Sequence, residues 1–189
     1  YKVLTDSDYF YADENSESGY SQADRTTTEK SVIDPLIEEN GALTLEVVGI
    51  VRPKPGVTVT SINGYVGYTE ALTLALLEKA ESHTVVGMVQ DAAKLAAARG
   101  DAEAAESIVV TEDNFKKFAS PIALAEEVEY PGALFGTETI KIDVGTEIKS
   151  YDIYVEMLRA LGVADPDTPQ SVSFYPNSFD HKADIERFI

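Results

Sequence analysis

An α+β fold is predicted by three features of the sequence. Leu43 to Val51 is an apolar run rich in β-branched residues, and Glu138 to Val144 alternates through Ile140, Ile142 and Val144. Three further segments, near residues 69–82, 84–99 and 150–161, carry apolar side chains at helical spacing. With 189 residues the chain fits one large domain or two small ones, enough to bury about 70% of the surface its unfolded form exposes.

Tyr1 to Thr28 is rich in Asp, Glu, Ser, Gly and Tyr and reads mostly as loop or edge structure, which its tyrosines can pin to the body. Ser31 or Asp34 caps a short helix over Pro35 to Glu39 that stops at Asn40-Gly41. Leu43 to Val51 follows as a central, buried strand, ended by Pro53 and Pro55, which cannot donate to a ladder. Gly56 turns the chain into Val57 to Ile62, and Asn63-Gly64 is either a hairpin turn or a loop toward Tyr65 and Val66.

Thr69 caps a helix to about Ser82 with Leu72, Leu76 and Ala80 on one face, broadened by Leu74 and Leu77. A second helix from Thr84 to Arg99 presents Val85, Val89, Ala92, Ala93 and Ala96, and Gly100 interrupts it before a further turn at Asp101 to Glu106. Ile108 to Val110 fits a short strand, Thr111 caps a short helix carrying Phe115 and Phe118, and Ser120-Pro121 has the form of another helix start. Pro131-Gly132 is a turn before the alternating strand. Ser150 caps a helix bearing Tyr151, Tyr154, Val155, Leu158 and Leu161, with Gly162 at its stop. A polar turn through Asp165-Pro166-Asp167 leads to a strand at Ser171 to Tyr175, and Asp180 opens a final amphipathic helix.

The chain carries 33 acidic against 15 basic residues, a net charge of −18. Nucleic acid is excluded as a partner, since phosphate neutralisation needs clustered Lys and Arg and no run holds more than two. The excess acid reads as a solvated surface. With no cysteine, disulfides, zinc thiolates and thiol catalysis are excluded.

No constellation of catalytic type stands out. His83, at a helix junction, and His181, in the first turn of the last helix, are the only histidines, and both read as exposed side chains rather than bases. No G-x-S-x-G, dinucleotide or Walker pattern is present; Gly64-Tyr65-Val66-Gly67 is too short and lacks the phosphate-binding Lys. The carboxylate groups Glu38-Glu39, Asp101-Glu103-Glu106 and Glu126-Glu127-Glu129 are expected by chance in so acidic a chain. Calcium is the most plausible ion for Asp6, Asp8, Asp13, Glu14 and Asn15, but the EF-hand spacing breaks after Asp8 and a solvated loop is the better reading. No catalytic, cofactor or metal residue is therefore assigned.

Three segments carry a resemblance. The strand Leu45-Glu46-Val47-Val48-Gly49-Ile50-Val51-Arg52-Pro53, the run Gly64 to Leu72 with its Gly-x-x-Gly-Tyr-Thr-x-Ala-Leu pattern, and the closing block of Leu161 to Asp165, Pro169 to Ser171, Ser173 to Pro176 and Phe179 to Ile185 occur in order. Together they resemble the extracellular domain of Gram-positive ABC transporter permeases of the MacB and FtsX type, over about half the chain, mainly Leu43 to Gln90 and Ser150 to Ile189. The resemblance implies a split β-α-β porter-like module, residues 30–68 and 138–189, with an inserted, largely helical subdomain at 69–137, the whole of 1–189 being one extracellular region.

It also implies a non-catalytic role in ATP-driven export or mechanotransmission. The partners would be the permease's own transmembrane helices, a cytoplasmic ATPase acting through them, and a cargo of peptide or lipoprotein kind. The location would be the outer face of the cell membrane. Tyr1 in place of Met and a last helix cut at Ile189 fit a piece excised between membrane spans, none of which lies within the chain. The alternatives are a free or wall-attached extracellular binding module and, third, a hydrolytic enzyme.

Overall fold

The computed structural model describes residues 1–52, 55, 66–124, 127–132, 136–141 and 147–166. Helices and short antiparallel ladders are mixed, an α+β arrangement in the general sense. Contacts divide the chain into two units: Tyr1–Glu46 with Glu70–Ala164, and Val47–Thr69 with Asp165–Ile189. The expected strands at Val57 to Ile62 and Ser171 to Tyr175 and the final helix lie outside the described residues.

In the first unit, β1 (Lys2–Val3) pairs with β4 (Leu43–Thr44), Lys2 opposite Thr44 and Val3 opposite Leu43. The pairing reaches Leu45, whose N–H donates to the Tyr1 carbonyl at 2.8 Å. There it stops. Glu46 to Val51 is not strand, and Val48 and Ile50 are 96% and 85% exposed, which corrects the expectation of a buried central strand. A β-branched run prefers extended structure only when a ladder and a covering layer receive it, and among the described residues β1 is the only partner.

A 3-10 turn at Asp6–Tyr9 leads into β2 (Phe10–Ala12), which forms a hairpin with β3 (Tyr20–Gln22). The acidic N-terminal stretch is thus more regular than its composition predicts. α1 (Lys30–Asn40) begins five residues ahead of the expected start, with Pro35 inside it. Proline removes a helical donor there, and the cost is met by tertiary anchoring: Leu36 is buried and Asn40 bonds two carbonyls of the preceding segment.

α2 (Glu70–Glu81), α3 (Thr84–Ala97) and α4 (Ala102–Ala105) lie where the spacing places them. Val85, Val86, Val89, Ala93 and Ala97 form the buried stripe of α3. Arg99 and Gly100 take positive φ to end it, and the Asp101 carboxylate caps α4 by accepting from the N–H groups of Glu103 and Ala104 at 3.1 Å each. The middle of the chain departs from expectation. Ile108 to Val110 is not strand, Thr111 to Phe115 is a single turn, and Ser120 starts no helix, its hydroxyl bonding the Ile122 carbonyl at 2.6 Å.

β5 (Phe118–Ala119) pairs with β8 (Glu147–Ile148). β6 (Glu127–Gly132) and β7 (Gly136–Lys141) pair antiparallel in a separate ladder, with Pro131 inside the strand opposite Thr137 rather than in the expected turn. A two-stranded ladder consists of edges, where Pro is tolerated. α5 (Tyr151–Ala160) begins where the sequence places it, the Ser150 hydroxyl accepting from the Ile153 N–H at 3.3 Å.

The core lies where α3, α5, β2 and the β5–β8 pair meet, around Val85, Val89, Met157, Phe10, Ile148 and Leu161. Phe115, Phe118, Tyr151 and Tyr154 add an aromatic cluster, with Phe118 edge-on to Tyr154 at 6.0 Å between centroids. Such pairs contribute about 0.5–1.5 kcal/mol beyond the area they bury. Burial pushes the Tyr154 phenol up to about 12, and Tyr151 adds to the shift.

Candidate functional site

The densest polar cluster among the described residues joins Asp8, Asn40, Lys79 and His83. Each comes from a different element: the 3-10 turn, the last residue of α1, the last turn of α2, and the cap of α3. Asp8 is fully buried. One of its carboxylate oxygens pairs with Lys79, and the other accepts from the Thr5 N–H at 2.6 Å. Lys79 also donates to the Asn40 carbonyl at 3.1 Å.

Asn40 uses its side-chain amide group to donate to the Asp8 and Phe10 carbonyls at 2.8 and 2.9 Å, which assigns its other atom as the acceptor oxygen. His83 Nε2 lies 3.3 Å from that oxygen, and Nδ1 accepts from the Val85 N–H at 3.3 Å. Both ring nitrogens are thereby engaged. The exposed histidine expected at this junction is instead half-buried, and burial holds its pKa below the ordinary 6.5. His181 lies outside the described residues.

The acidic residues considered for calcium are dispersed. Asp6 accepts from the Arg25 guanidinium at 2.9 Å, and Asp8 faces Lys79. Asp13 accepts from the Ser21 hydroxyl at 2.6 Å and from the N–H and side-chain amide of Asn15, bonds that hold its carboxyl below the ordinary 3.8, with Ser21 the largest cause. No group of His, Asp and Glu suited to a metal ion occurs among the described residues. Two of the other carboxylates have structural partners: Glu39 accepts from the Ala12 N–H at 2.9 Å and Asp101 caps α4. Glu156 pairs with Arg159 through one oxygen while the other is buried without a partner.

Sequence reading passed over Asn40 and Lys79 as site residues, and nothing local marks them. Asn40 looks like a helix stop and Lys79 like a solvated last-turn cation; only the packing of α1 against the 3-10 turn, and of that turn against α2, brings them to Asp8.

The second unit offers a different feature. Its described residues Val47, Val48, Ile50, Val51, Val66 and Tyr68 are exposed. No known protein family matches the sequence, and neither a curated protein nor a solved structure is similar to it at a significant level. No described helix is long and apolar enough to cross a membrane.

Proposed function

We propose that the chain is the extracytoplasmic domain of an ABC transporter permease of the MacB and FtsX type, built on a porter-like split β-α-β module and non-catalytic itself. The observation that supports this reading is the composition of the second unit. It joins Val47–Thr69 with Asp165–Ile189, segments about a hundred residues apart that hold most of the motifs carrying the resemblance. Such a module works as a mechanical part. Transmembrane helices outside the chain, driven by a cytoplasmic ATPase, bias it between two arrangements, and a peptide or lipoprotein cargo is moved only if it binds the two differently. The polar cluster at Asp8 fits a scaffold role, because its carboxylate, ammonium and imidazole are committed to one another and to backbone groups.

No cysteine occurs within the 189 residues, so a single introduced one marks this region. Ser31→Cys, on the exposed face of α1, is labelled with a membrane-impermeant maleimide in intact cells that make the full-length protein. The permease reading predicts labelling before lysis and retention in membranes washed with alkaline carbonate. Labelling before lysis with release by carbonate points to a free or wall-attached binding module, and labelling only after lysis rejects an outward-facing domain.

A further inference from the structure

His83 stands at the joint between α2 and α3, and its two ring nitrogens hold opposite sides of that joint. The Val85 N–H can only donate, so Nδ1 carries no proton, and the ring's single hydrogen sits on Nε2 and is donated to the Asn40 side-chain oxygen. Through Asn40 the bond reaches the Asp8 and Phe10 carbonyls, and through the Asn40 carbonyl it reaches Lys79. One tautomer of one ring therefore ties α1, the 3-10 turn and α2 to the first turn of α3.

A second proton can enter only at Nδ1. There it faces the Val85 N–H, donor against donor, and it places a cation at the N-terminal end of α3, where the helix dipole opposes positive charge. Relief requires the ring to turn, and the Asn40 bond turns with it.

We propose that His83 is an acid-released latch: uptake of one proton at Nδ1 removes the cap of α3 and uncouples Asn40 from that helix, loosening the joint between α1 and the α2–α3 pair. The charged groups facing the ring are Asp8 from the 3-10 turn and Glu39 from α1, which favour the second proton, and Lys79 from α2, which opposes it. Burial, with Lys79 acting in the same direction, outweighs the two carboxylates, so the closed form is complete above the ordinary histidine value of 6.5 and opens as the pH falls through the lower value of the folded ring. The inference stands on this geometry whatever the chain's place in the cell.

The test uses the 189-residue chain with 15N-labelled histidine, whose two rings are assigned by comparison with His83→Asn. Asn caps helices well and does not titrate. At pH 7.5 the His83 ring is expected as the Nε2–H tautomer. Between pH 7.5 and 5, the hydrogen-exchange protection of the Val85 amide, corrected for intrinsic exchange, is expected to fall about fivefold, the size of a lost helix cap. In His83→Asn it stays constant. An Nδ1–H tautomer at pH 7.5, unchanged Val85 protection in the wild type, or the same fall in His83→Asn would each overturn the proposal; the second needs no variant.

Discussion

Lys79 and Asp8 form an ion pair in which the Asp8 side chain is wholly buried and the Lys79 side chain is 17% exposed. Removing one partner of such a pair is worse than removing both, because a charge is then left in a medium that does not solvate it. Lys79→Met is expected to cost about 3–5 kcal/mol by urea denaturation. Asp8→Asn combined with Lys79→Met is expected to recover part of that loss. A neutral Lys79→Met would show that water reaches Asp8.

Gly162 closes α5 at φ +87°, and a Cβ placed there would lie 3.3 Å from the Ala80 Cβ and 3.7 Å from the Asp6 nitrogen. Gly19 also has positive φ, at +75°, but open space beside it. Left-handed backbone costs an L-residue about 1–2 kcal/mol, so Gly19→Ala measures that term alone. Gly162→Ala should cost more, and Ala80→Gly in the same chain should relieve only the excess. Equal losses at the two glycines would mean that the contact with α2 contributes nothing.

The Ser21 hydroxyl is the main reason the Asp13 carboxyl titrates below 3.8. A carboxyl depressed on folding contributes stability above its ordinary pKa, and that contribution disappears as the pH falls through the lower folded value. Ser21→Ala is therefore expected to move the Asp13 midpoint upward, followed by NMR of its carboxyl carbon. An unmoved midpoint would assign the shift to Asn15.

Val89 is fully buried in α3, whereas Val48 is 96% exposed. Val89→Ala should cost more than 1 kcal/mol through its cavity, whereas a surface change such as Val48→Ala should stay within about 0.5 kcal/mol. A comparable loss at Val48 would restore the buried strand predicted over Leu43 to Val51.

The parts of the fold legible in sequence are those written locally. α3 and α5 follow from apolar spacing and from Ser150, whose hydroxyl caps its helix as placed, and Gly100 and Gly162 end helices where the periodicity stops. What depends on a distant partner was not legible. Val47 to Val51 has the composition of a buried strand, but β1 offers pairing only as far as Leu45. Phe115 and Phe118 have helical spacing, yet Phe118 is drawn into a ladder with Ile148 and packs edge-on to Tyr154. His83 looks exposed among polar neighbours, yet its ring is half-buried and meets Asn40, 43 positions earlier.

On the proposed permease reading, ATP hydrolysis on the other side of a membrane moves this domain. Spin labels at Ser31→Cys in the first unit and Val48→Cys in the second, in the full-length protein reconstituted with its ATPase, report the distance between the units in the nucleotide-free and ATP-trapped states. Distance distributions that differ between the two states are expected. Identical distributions in an assembly that hydrolyses ATP would contradict that reading.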